Sequence, residues 1–362
     1  MQYLFSIHTF EIVCDMSKSA FMELMDAFFD FREKMKGEAI PIFSEKVKGY
    51  RFTCLKKQGI NQVSFKMIGD GEFVYKWRVS FKVNPRQLLG MQGHSFIHIV
   101  PPEHLEEIPE LLDSIIQEIC PGFLSIFHCG KIVRIDYCTN ILMKSKSRAK
   151  KYLNILRQGY FPSYLTPDMA YDKIKKKKMF KHGRMTLKST YYTFEAYLKN
   201  EQMKQSRYKY DEDEMKEAES QIRFEFRAKY RKILELKKKY NIATEAEFLW
   251  SSPEIAEIEF SRILKIIYGS GDFYNTEEAK KRICDSSYKE PVKKRMIMII
   301  QKTKEQKSLT NVLKMLDLQC HERRRYFNYF NELGISPITF GKPGCHYKNP
   351  LTYIKENNVN YD

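Results

Sequence analysis

Three short stretches alternate apolar and polar residues with a period of two, a pattern that restricts each to a β-strand with one face turned to a core. In Val133-Arg134-Ile135-Asp136-Tyr137 the polar face is Arg134 and Asp136. In the run from Tyr191 to Lys199 one face carries Tyr191, Thr193, Glu195, Tyr197 and Lys199, while Tyr192, Phe194, Ala196 and Leu198 can enter the core. In Ile222-Arg223-Phe224-Glu225-Phe226-Arg227 the polar face is Arg223, Glu225 and Arg227.

If these strands are neighbours, their polar faces together supply carboxylates, guanidinium and ammonium groups, and phenols. That is an inventory for metal-assisted phosphoryl transfer. Asp136 and Glu225 are hard oxygen ligands suited to Mg²⁺ or Mn²⁺, and the Arg and Lys side chains can hold phosphate oxygens. A Tyr hydroxyl can attack in line, but a phenol with a free pKa near about 10 needs a nearby cation or metal, and Lys199 lies two residues from Tyr197 on the same face. Tyr191, six residues before Tyr197, is the competing nucleophile or a second acceptor. The bland alternative is a set of solvent-exposed strand faces with cross-strand ion pairs.

The rest of the chain sets these strands in an α+β fold. Tyr3 to Cys14, Tyr50 to Leu55, Gln62 to Met67 and Glu72 to Val83 read as strands, with Asp70-Gly71 as a hairpin turn. Phe21, Leu24, Met25 and Phe28 mark one amphipathic helix between them. Residues 102–119 read as an acidic helix, Ile132 to Ile141 as a strand, and Ser145 to Gln158 as a basic helix carrying Lys150 and Lys151. From Arg231 the pattern is helical. The expected organisation is a largely antiparallel sheet domain over residues 1–240, an all-α domain over 241–340, and a loosely held tail over 341–362.

Charge narrows the partner. The 62 Lys and Arg against 45 Asp and Glu leave a net charge of +17, which points first to nucleic acid and second to an anionic membrane surface. Lys173 to Lys188 holds eight basic residues and no acid, including Lys175, Lys176, Lys177 and Lys178. Such a run is either a solvated hairpin tip or a DNA contact. No apolar run approaches the roughly 18 residues of a membrane span, and the first residues lack a leader pattern, so a soluble protein is expected. The eight cysteines form no C-x-x-C pair and read as scattered, reduced thiols without a zinc ribbon or disulfide framework.

At the same stretches the chain resembles the gene II/X replication initiators of filamentous bacteriophages and the related plasmid Rep proteins. The likeness lies in Val133-Arg134-Ile135-Asp136 followed by a basic helix, in Glu195-Ala196-Tyr197-Leu198-Lys199-Asn200-Glu201, and in Ile222 to Tyr230. Lys82-Val83-Asn84-Pro85 with Gln92-Gly93-His94-Ser95 is similar to the family's K-x-S-P and Q-G-H-N motifs, and Phe327 to Ile335 to its C-terminal helical region. The resemblance implies a rolling-circle initiator in the cytoplasm of a bacterial host. Such an enzyme nicks one strand of double-stranded origin DNA, becomes joined to the 5′ phosphate through a tyrosine, and recloses the displaced single-stranded DNA. It also implies a host helicase and replication machinery as partners, and no membrane. Tyr197 is the implied nucleophile, with Lys199 and Arg227 catalytic, Asp136 and Glu225 on Mg²⁺ or Mn²⁺, and Arg223 against DNA. Asn84 and Ser95 depart from the motifs, and no His-hydrophobic-His pair is present, so His94 keeps two readings, a site role and a turn or packing role.

Two rival classes fit the same composition. One is a non-catalytic DNA-binding regulator built on a helix-turn-helix, with Leu309, Val312, Leu313 and Leu316 on one helix and Arg323, Arg324 and Arg325 on the next. The other is an RNA-binding protein, because basic charge with many aromatics also suits single-stranded RNA.

Overall fold

The computed structural model describes residues 4–70, 73–91, 99–172, 177–205, 210–341 and 346–357. The strands are β1 (Ser6–Met16), β2 (Ala39–Phe43), β3 (Val47–Phe52), β4 (Ile60–Asp70), β5 (Phe73–Val83), β6 (Gly130–Leu142), β7 (Thr166–Pro167), β8 (Met169–Asp172), β9 (Lys177–Phe180), β10 (Arg184–Lys188), β11 (Tyr192–Leu198), β12 (Gln221–Lys229), β13 (Phe273–Tyr274) and β14 (His346–Tyr347). Ten of them form one sheet in the order β2-β3-β4-β5-β1-β6-β12-β11-β10-β7, with every neighbouring pair antiparallel. The expected α+β class with a largely antiparallel sheet is what the chain adopts. β8 pairs with β9, and β13 with β14, as two small separate ribbons.

The helices are α1 (Lys18–Lys34), α2 (Pro85–Leu88), α3 (Ile108–Ile119), α4 (Ile126–Cys129), α5 (Lys146–Leu156), α6 (Lys199–Lys204), α7 (Glu212–Glu217), α8 (Tyr230–Tyr240), α9 (Glu245–Trp250), α10 (Ser252–Tyr268), α11 (Thr276–Cys284), α12 (Glu290–Gln306), α13 (Leu309–Met315), α14 (Cys320–Glu332) and α15 (Pro350–Asn357). α1 starts where the Ser17 hydroxyl accepts from the Ala20 N–H, and it buries the expected stripe of Phe21, Leu24, Met25 and Phe28. The 102–119 segment divides, because Pro102 to Glu107 winds as a 3₁₀ turn before α3.

Alternation in the strands sorts the sheet into two unlike faces. The apolar face is continuous from Phe65 and Val79 through Ile12, Phe10 and Ile135 to Tyr137, Phe226 and Phe194, all fully or nearly fully buried. Helices pack on it. Phe21 and Phe28 of α1 meet Phe65 edge-on at 5.4 Å, and Phe260 of α10 meets Phe5, Phe194 and Phe226 at ring separations of 5.3, 6.3 and 6.3 Å. Each such buried ring contributes roughly 2–3 kcal/mol of transfer free energy, so α10, beyond residue 240, is bound to the sheet by the same core that holds α1.

Residues 346–357, expected as a tail, are held by that core as well. Asn349 donates to the carbonyls of Gly269 and Gly271 at 3.1 and 3.2 Å, Tyr347 and Ile354 are buried, and α15 packs against β6. β4 and β5 pair with Asp70 in register with Phe73, and the turn expected at Asp70-Gly71 falls on residues 71–72, outside the described residues.

One glycine controls how the loop after β5 meets the sheet. Gly59 has φ +87°, and a Cβ there would lie 2.2 Å from the backbone nitrogen of Leu88, while its carbonyl accepts the Asn84 N–H at 2.8 Å. Gly59→Ala is therefore expected to cost about 2 kcal/mol through strain and contact with α2. Urea denaturation reads this directly, and a change under about 0.5 kcal/mol would refute it.

Candidate active site

The other face of the sheet carries the polar residues, and the strand register arranges them in three rows. Tyr197 of β11 lies opposite Arg223 of β12, which lies opposite Asn140 of β6. Glu195, Glu225 and Cys138 make the second row; Thr193, Arg227, Asp136 and, from β1, Thr9 make the third. Directly paired residues share a face. Asp136, Tyr197 and Glu225 thus project from one face of three consecutive strands, as the alternation implied.

Two carboxylates organise this face, each with its own partners. Asp136 is buried and accepts from Arg134 Nε and Nη2 at 2.9 and 2.5 Å, from Arg227 Nε at 3.0 Å, and from the Thr9 hydroxyl at 3.0 Å. A buried carboxylate needs such compensation, and two guanidiniums plus a hydroxyl supply it. Glu225 accepts the Tyr197 hydroxyl on Oε1 at 2.5 Å. The same oxygen lies 3.1 Å from His8 Nδ1, within ion-pair distance when the imidazole is protonated. Although burial works against it, the His8, Arg223 and Tyr197 side chains hold the Glu225 carboxyl well below the usual range.

Tyr197 is 3% exposed, and burial together with the Glu225 charge pushes its phenol well above the ordinary value. The Arg223 guanidinium opposes this, and Arg184 sits over the Tyr197 ring at 5.3 Å. Arg223 itself is fully buried and donates from Nε to Asn140 at 2.9 Å. Glu195 accepts from the Thr186 hydroxyl at 3.0 Å on the neighbouring β10.

Lys199 has the polar-face residues Arg223, Glu225 and Cys138 as its ionisable neighbours, but it stands in a helix and not on the strand. β11 ends at Leu198, and Lys199 is the first residue of α6, 1% exposed, with its amine donating to Gln202 Oε1 at 3.0 Å. Burial and the Arg223 charge push its ammonium well below the ordinary value, toward a neutral amine. Burial thus works against the positive charge expected of it beside Tyr197. Arg223 stands closer to that role.

Tyr191 also differs. It precedes β11, is 45% exposed, and lines a separate cavity of about 650 Å³ with Tyr164, Tyr192, Lys232, Glu259 and Arg262. The six-residue spacing put it on the right face of an idealised strand, but the bend at Ser189 to Tyr191 interrupts that strand.

His8 and Thr9 were missed by sequence reading. The β1–β6 register shifts between Ile7 and Thr9, a bulge that sets His8 beside Glu225. The available signal was a polar His-Thr pair inside the apolar run of β1, and nothing local tied that strand to one more than 120 residues later.

Among the basic residues, Lys150 and Lys151 are exposed on α5, with Lys150 4.0 Å from Glu201. Lys175 and Lys176 lie outside the described residues, as do the side chains of Lys177 and Lys178, whose backbone forms part of β9. His94 lies outside them too. In the expected helix pair, Leu309, Val312 and Leu313 of α13 are buried, and Arg323 of α14 turns inward to donate to the Tyr160 hydroxyl at 3.0 Å, leaving Arg324 and Arg325 exposed.

No protein-family model matches the chain, and no curated protein matches it. Among solved structures it is similar to a rolling-circle replication initiator protein from Geobacillus stearothermophilus, at 10% identity and a TM-score of 0.32, over 73% of this chain and 84% of that one. A likeness this distant carries no functional argument.

Proposed function

We propose that the chain is a rolling-circle replication initiator that nicks one strand of duplex origin DNA with Tyr197. The observation that carries this reading is the Tyr197 phenol donating to the Glu225 carboxylate within a sheet face flanked by Arg223, Arg227 and Arg134. In the proposed reaction the Tyr197 oxygen bonds to phosphorus and the P–O3′ bond breaks. The phenolic proton, which the Glu225 carboxylate orients but is too weak a base to keep, passes to water, and the departing 3′ oxygen takes up a proton from water to become the primer hydroxyl. The 5′-phosphotyrosine ester conserves the energy for religation of the displaced strand. In this reading Arg223 and Arg227 neutralise charge on the phosphoryl oxygens once the site opens. Because Tyr197 is this buried, the elements over the polar face must open for DNA to enter.

A divalent ion fits the donor set in chemical type. Among the described residues no three His, Cys, Asp or Glu side chains converge as a metal cluster, but Mg²⁺ is commonly held by one or two carboxylates together with substrate phosphates. Glu225 Oε2 takes part in none of the bonds described above, and His8 Nδ1 is a buried nitrogen 3.1 Å from the other oxygen of the same carboxylate. Glu225 would hold Mg²⁺ or Mn²⁺ together with substrate phosphates, the ion supplying positive charge at the scissile phosphodiester; Asp136, whose two oxygens are engaged by Arg134, Arg227 and Thr9, would join it only with those guanidiniums turned to the DNA.

The partners in this proposal are the origin duplex, its displaced strand and a host helicase. Incubating supercoiled origin DNA with the protein and Mg²⁺ tests the reading against a purely binding regulator: an initiator relaxes the DNA, and a regulator only retards it. Binding should be strongly salt-dependent. Replacing both Lys150 and Lys151 by Ala is expected to flatten the log–log salt slope by up to about 2, on specific and random DNA alike. An unchanged slope in a filter-binding titration would exclude these lysines from the DNA contact.

A further inference from the structure

Cys14 and Cys129, 115 residues apart, stand side by side. Their sulfurs are 3.7 Å apart, with Cys14 buried near the end of β1 and Cys129 exposed at the last position of α4. The adjacency is built into the backbone. Cys14 is in register with Gly130, the residue after Cys129. A Cβ at Gly130 would lie 2.4 Å from the Ile126 carbonyl and 2.8 Å from the Ile12 side chain, so this turn can lie against β1 only with glycine there. Both thiols are also held by the α4 turn, Cys129 donating to the Ser125 carbonyl at 3.2 Å and Cys14 to the Ile126 carbonyl at 3.8 Å. The scattered thiols expected from sequence thus include one preassembled pair.

We propose that Cys14 and Cys129 are a dithiol redox site that closes to an intramolecular disulfide with hydroperoxides. The Cys129 thiolate attacks the peroxide oxygen and is oxidised to a sulfenic acid, releasing water once the leaving hydroxide takes a proton. The Cys14 sulfur then attacks Cys129 Sγ, forms the S–S bond and expels the hydroxyl as a second water. Overall, two thiols and one hydrogen peroxide give one disulfide and two waters. Closing requires the sulfurs to move from 3.7 Å to about 2.05 Å. The order of attack follows from access, since Cys129 faces solvent and Cys14 does not. The bond to Cys14 also draws the Cys129 thiol below its ordinary value, against its burial, which favours the reactive thiolate. The bridge would staple the end of β1, whose start carries His8 and Thr9, to the entry of β6, which carries Asp136.

The test uses the reduced full-length chain and one equivalent of hydrogen peroxide near neutral pH, followed by unfolding and alkylation with N-ethylmaleimide. Two fewer alkylated thiols than in the untreated protein, a Cys14–Cys129 cross-linked peptide, and recovery by dithiothreitol are expected. In Cys14→Ser the sulfenic acid should persist on Cys129 and be trapped by dimedone without a disulfide. Full alkylation of the oxidised wild type, or pairing of Cys129 with a cysteine of another molecule, would overturn the proposal, and both readouts on the wild type are independent of whether any variant folds.

Discussion

Tyr197→Phe is expected to lower nicking by roughly 10⁴-fold or more while origin affinity changes less than about threefold, because the change deletes the attacking oxygen and little volume. It also removes the donor to Glu225, leaving that carboxylate facing His8 and costing about 1 kcal/mol of stability. Circular dichroism of the variant checks its fold, so that lost nicking is assigned to the missing oxygen. Tyr191→Phe should nick within about twofold of the parent, since Tyr191 lies off the polar face in the separate tyrosine-lined cavity. A gel assay on supercoiled origin DNA compares the two. Substantial nicking by Tyr197→Phe would remove Tyr197 from the mechanism.

The second large effect is on stability. Asp136→Asn is expected to cost roughly 3 kcal/mol, because a buried carboxylate that compensates both Arg134 and Arg227 becomes neutral and leaves two guanidiniums facing each other. The partial exposure of both arginines lets them rehydrate in part, which places the value at the lower end of the range for broken buried pairs. Combining Asp136→Asn with Arg227→Gln should cost less than the sum of the two single changes, since the second removes the repulsion created by the first. Urea denaturation of the four proteins measures the coupling. Strict additivity, or a single-variant cost under about 0.5 kcal/mol, would mean that the triad contributes nothing of this size.

The parts of this architecture that were legible in sequence are those encoded over a few residues. Period-two alternation put Arg134 and Asp136 on the polar face of β6, Glu195 and Tyr197 on that of β11, and Arg223, Glu225 and Arg227 on that of β12, and the α1 stripe identified its buried side, because none of these statements needs long-range pairing, whereas the union of the three faces does. The β1–β6 pairing does need it. His8, Thr9 and the Cys14–Cys129 adjacency were invisible for that reason, each depending on strands separated by more than a hundred residues. Lys199 does keep company with that face, its amine acted on by Arg223, Glu225 and Cys138, but the alternation runs through it and so hides that the chain turns into α6 there, with no side-chain cap at Leu198 to announce it. The supposed tail was misread because its anchor, Asn349, works by hydrogen bonds to the carbonyls of Gly269 and Gly271, and a lone polar residue carries no periodicity.

The central claim is that the phenol bonded to Glu225 is the group that attacks DNA. Trapping the protein on a single-stranded origin oligonucleotide with Mg²⁺, digesting the complex with nuclease and protease, and locating the residual nucleotide by mass spectrometry tests it most directly. The account predicts a 5′-phosphotyrosine on the peptide containing Tyr197. A nucleotide attached at Tyr191 or any other residue, or relaxed DNA without a covalent adduct, would contradict it.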